Sequence, residues 1–70
     1  MSASSHQADL SSVRSQVEEL RARVEAIALR YQGTPDSAVA ADLFEADRAL
    51  TSAGRTMDRA LTALSELAGS

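Results

Sequence analysis

The sequence predicts an all-α protein: an antiparallel two-helix hairpin, coiled-coil-like, that dimerises into a four-helix bundle. Three observations carry this expectation. One turn signal, Gln32-Gly33-Thr34-Pro35-Asp36-Ser37, falls near the middle of 70 residues. An apolar heptad runs through each half of the chain. The chain is too short to close a large core, and it has no cysteine with which to staple a small one.

Residues 1–4 are small and polar, and the sequence leaves them disordered. A capping box of Ser4 with Gln7 starts the first helix near Ser5, with a later start near Asp9 as the alternative, and the helix runs over about 5–32. It carries Leu10, Val17, Val24 and Tyr31 at heptad position a, and Val13, Leu20 and Ile27 at position d. The unbroken alternation of three- and four-residue steps is the pattern of a helix with one apolar seam. Arg14–Glu18, Glu19–Arg23 and Arg21–Glu25 are spaced to support its polar face.

The turn occupies 33–34. Gly33 follows the last apolar residue, where a left-handed residue ends a helix. Thr34 stands as the next N-cap, Pro35 at the first helical position and Asp36 in the first turn. A connection this short leaves its two helices antiparallel and adjacent.

The second helix spans about 35–68. Its a positions are Leu43, Leu50, Met57 and Leu64, and its d positions are Val39, Ala46, Ala53, Ala60 and Leu67. In an antiparallel pair a faces d, which matches Ile27 with Leu43, Val24 with Ala46, Leu20 with Leu50, Val17 with Ala53 and Val13 with Met57. Arg21 with Asp47, and Arg30 with Asp42, then flank the seam at similar heights. Gly54, inside this helix, costs roughly 1 kcal/mol relative to alanine and points to a close contact.

Composition restricts function. The net charge is −3, and all seven basic residues are arginine, a usage that goes with small bacterial proteins from GC-rich genomes. Acids and arginines balance over residues 1–33, whereas acids dominate 34–70. Such a chain is a poor general binder of nucleic acid or membrane surfaces. With no apolar h-region and no spanning apolar run, the expected location is cytoplasmic.

No catalytic, cofactor or metal site is predicted. His6 has only Asp9 at helical spacing, and Asp42 with Glu45 reads as acid complementing a helix N-terminus. No serine or threonine has a base beside it, and the three glycines form no phosphate-cradling loop. Two groups remain. Leu61, Leu64 and Leu67 at the end of the second helix, with Leu29 and Phe44 off the main seams, form a predicted association surface. Arg48, Arg55 and Arg59 line one outer stripe with Ser52 and Thr62, a strip for an acidic partner; Arg55 is spaced to pair with Asp58.

The Tyr31-Gln32-Gly33 turn between two helices resembles the W-x-G turn of the small helical-hairpin substrates of type VII secretion. Here tyrosine takes the tryptophan's place, and no tyrosine follows the second helix to supply their Y-x-x-x-[DE] signal. That resemblance implies a helical-hairpin export substrate, and the missing tyrosine is a departure from its export signal.

The expected function is therefore non-catalytic: a protein–protein interaction, assembly or regulatory adaptor module acting through helical packing. Its partner is a second copy or another protein, with no small-molecule substrate and no membrane. The alternatives are a small regulatory nucleic-acid-binding hairpin that uses the arginine strip, and a type VII secretion-like substrate.

Overall fold

The computed structural model describes residues 2–69, and Met1 and Ser70 lie outside them. The chain forms two helices, α1 (Ala3–Tyr31) and α2 (Ser37–Ala68), packed against each other as a hairpin. Its Cα trace extends 55 × 14 × 13 Å.

The start of α1 lies two residues earlier than the expected capping box places it. Ser2 takes extended backbone angles and its Oγ accepts the Ser5 N–H at 3.2 Å, so the cap is Ser2 rather than Ser4. Ala3 and Ser4 are consequently helical. At the other end the Gln32 N–H still reaches the Ala28 carbonyl at 3.1 Å, and Gly33 then turns the chain with φ +74°. Positive φ costs a residue with a Cβ about 1–2 kcal/mol, which is why glycine stands here.

Thr34 organises the turn. Its hydroxyl donates to the Tyr31 carbonyl at 2.6 Å and accepts the Asp36 N–H at 3.2 Å. The Ser37 N–H then bonds back to the Thr34 carbonyl and the Val39 N–H to Asp36. These three-residue steps wind 34–36 more tightly than an α-helix. Regular helix therefore begins at Ser37, two residues after the expected start at Pro35.

The helices meet in a different rotation from the one the heptads predict. Only Ala28, Ala40 and Gly54 are buried among the described residues, and each immediately follows or precedes an expected seam position rather than occupying one. The Arg14 guanidinium crosses directly over Gly54, and Arg21 reaches Asp47 at 2.9 Å. One heptad further along α1, and one back along α2, Ala28 matches Ala40. Positions a and e thus face the partner helix, and the expected d residues of α1 are displaced: Val13, Leu20 and Ile27 are 42%, 49% and 47% exposed.

The physical reason lies in the e positions. Ala28, Ala40 and Gly54 are small enough for close backbone approach, and Arg21 meets Asp47 there as a charge-satisfied pair. Relative to an a/d seam, each helix is turned by roughly half of the 100° step between residues. The expected pairing of Arg30 with Asp42 does not form among the described residues, whereas that of Arg21 with Asp47 does.

Candidate association face

The rotation gives the hairpin two unlike sides. In α1 the residue before each inward e position is Val13, Leu20 or Ile27; in α2 it is Val39, Ala46 or Ala53. Because the helices run in opposite directions, the same rotation about each axis brings both sets to the same side. The register set by Arg21–Asp47 and Arg14–Gly54 then places Val13 beside Ala53, Leu20 beside Ala46 and Ile27 beside Val39. The result is an apolar face with a large row on α1 and, apart from Val39, a small row on α2. Leu10, Val17 and Val24 of α1, and Leu43, Leu50 and Met57 of α2, are half-buried between this face and the seam.

The incompleteness of this core is chemical as well as geometric. No large side chain is fully buried among the described residues. Full burial of one valine, leucine or isoleucine contributes ~1.5–3 kcal/mol, so the exposed row forgoes much of what it could supply.

The opposite side is a lattice of charge. Arg21 donates from Nε and Nη2 to Glu18, and from Nη1 to Glu25 at 3.1 Å and Asp47 at 2.9 Å. Those hydrogen bonds, led by Glu18, raise its pKa above the ordinary arginine value and lower that of Glu18. Arg14 forks onto Asp58, with Nε at 2.9 Å and Nη2 at 3.3 Å from its two oxygens. That hydrogen bonding holds the Asp58 carboxyl below its usual range. Asp58 is thus taken by the other helix, and the sequence-expected Arg55–Asp58 pair does not form.

The predicted strip divides. Arg48 and Arg55 line a shallow groove of about 400 Å³ with Arg21, Asp47, Thr51 and Ser52. Thr51 is committed to the Asp47 carbonyl at 2.9 Å, and Arg59 leans on the Thr56 hydroxyl at 3.5 Å. No group of three histidine, aspartate or glutamate residues placed to hold a metal ion occurs among the described residues.

The predicted leucine surface is dispersed. Leu61 and Leu64 are half-buried, since α1 extends back to Ala3 and reaches their level; Leu67 remains 64% exposed. Leu29 is exposed on the outer side of α1, whereas Phe44 is half-buried on α2, away from the open face. Sequence reasoning missed Val13, Leu20 and Ile27 as surface residues because it assigned them to the internal seam. The signal was the row Ala28, Ala40 and Gly54, small residues one position beyond it.

No helix among the described residues is long and apolar enough to cross a membrane. Comparison of the chain with protein-family models, curated proteins and solved structures gives no match.

Proposed function

We propose that this hairpin is a non-catalytic protein–protein association module, an assembly or regulatory adaptor whose open apolar face is completed by another chain. The observation behind this reading is the exposed row Val13, Leu20 and Ile27 beside a core whose only buried apolar residues, among the described ones, are Ala28 and Ala40. A helical pair with one seam is under-cored, and packing of a second layer of helices on the apolar side supplies the missing burial. Leu67 lengthens the same apolar side on α2.

Light scattering tests the proposal. The wild-type chain is expected to self-associate at tens of micromolar, and Leu20→Glu with Ile27→Glu to yield a monomer that keeps its helices. A chain that stays monomeric into the millimolar range, with melting unchanged by these substitutions, overturns it.

The groove between Arg48 and Arg55 favours a second reading, binding of nucleic acid or an acidic partner. Neither arginine has an ion-pair partner among the described residues. Against it, Arg21 in the same groove is already surrounded by three carboxylates. A gel shift that weakens steeply with salt supports this reading, and no shift at low salt removes it.

A further inference from the structure

We infer that the occupant of the open face is a second copy of this chain, placed about a two-fold axis that runs along the length of the hairpin. Each α1 then lies over the other copy's α2, and both turns sit at the same end. The inference rests on the association reading above and specifies its partner and geometry.

The face is complementary to itself. A two-fold axis along the hairpin exchanges left and right but preserves height. The row Val13, Leu20 and Ile27 therefore descends on the other copy's Ala53, Ala46 and Val39, and the exchange is repeated by symmetry. Leu20 on Ala46 and Val13 on Ala53 set large side chains into space left by small ones. The competing axis, across the hairpin, stacks α1 on α1 and α2 on α2. That would crowd Leu20 on Leu20 and Val13 on Ile27 in one half of the interface and leave Ala46 opposite Ala46 in the other. Overpacking and voids both destabilise, so the lengthwise axis is preferred.

The edges agree. By heptad position, Arg23 and Arg30 stand at the outer margin of the α1 row and Asp42 at the outer margin of the α2 row, on opposite edges of one hairpin. None of the three has an ion-pair partner among the described residues. The lengthwise axis brings opposite margins together, and Asp42 of the second copy falls at a height between Arg23 and Arg30. Such margin charges select orientation. The area is also adequate. A Cα outline of 55 Å by 14 Å gives the whole face a projected area of roughly 770 Å², the same order as the ~800 Å² of accessible surface that each partner buries in a standard stable interface.

A distance measurement at the turn separates the geometries. The chain has no cysteine, so Gln32→Cys, at an exposed position, takes a single spin label. Pulsed electron resonance on protein shown by light scattering to be dimeric is expected to give a label separation below half of the 55 Å hairpin length. A dimer with separation near that full length has its turns at opposite ends; it overturns the lengthwise axis and leaves the association reading intact. A monomeric mass into the millimolar range overturns both. As a second readout, Asp42→Arg should weaken dimerisation by roughly tenfold, with recovery when Arg23→Asp and Arg30→Asp are added. Dimerisation unchanged by Asp42→Arg overturns the margin contact.

Discussion

The Arg14 guanidinium occupies the space where any side chain on Gly54 would begin: a Cβ built there lies 2.7 Å from the arginine Cζ. Gly54 is thus the floor over which Arg14 crosses α2 to reach Asp58. This contact helps to set the register of the hairpin, and a glycine that weakens its own helix is explained by it.

Gly54→Ala alone should change stability little. Alanine recovers roughly 1 kcal/mol of helix propensity but pushes aside a flexible guanidinium and loosens its fork on Asp58. In an Arg14→Ala background the obstruction is gone, and the same substitution should stabilise by about 1 kcal/mol. Urea denaturation of the four variants measures the coupling; identical effects of Gly54→Ala in both backgrounds would show that the crossing is unimportant.

Gly33→Val should destabilise the hairpin by about 1–2 kcal/mol. Beyond Gly33 and its two chain neighbours nothing lies within 4 Å of a Cβ placed there, so the cost is one of backbone conformation at φ +74° and not of collision. Gly33→Asn should recover part of the loss, since asparagine tolerates this region better. Thermal melts followed by circular dichroism check the order glycine, asparagine, valine.

Stability should fall in acid. The folded-state pKa values of Glu18 and Asp58 lie below their ordinary 4.5 and 3.8 because Arg21 and Arg14 hydrogen-bond their ionised forms. The folded state thus binds fewer protons than the unfolded one as pH drops through this range. The contribution of these carboxylates is present above about pH 4.5 and is lost below it as they become protonated. Replacing Arg14 and Arg21 by glutamine should flatten the acid limb of the stability profile. An unchanged limb would assign the acid sensitivity to other carboxylates.

Ala53→Leu should act on association before it acts on the fold. Ala53 is half-exposed on the open face, so one hairpin accommodates leucine, while a facing Val13 from a second copy does not. Overpacking of that kind costs ~1–3 kcal/mol. Sedimentation should show a weakened dimer with helical content preserved; a dimer of wild-type affinity would place Ala53 outside the interface.

The local chemistry of this chain was legible from residue order. Gly33 and Thr34 determined where the chain reverses, because positive φ and a hydroxyl able to bond the neighbouring backbone are properties of single residues. The heptads determined that both halves are helices, and the short turn between them that they lie antiparallel. Charge spacing anticipated the Arg21–Asp47 contact across the pair. What the sequence left open was rotation about each helix axis. A heptad names an apolar stripe but does not say which edge of it meets the intramolecular neighbour. Tertiary packing decided that, because Ala28, Ala40 and Gly54 allow the backbones to approach at the edge where the Arg21–Asp47 pair also fits. The same choice turned Val13, Leu20 and Ile27 outward. A stripe that reads as one seam on paper serves two contacts in three dimensions, since a helix in a two-layer assembly packs against neighbours on both flanks of its apolar side.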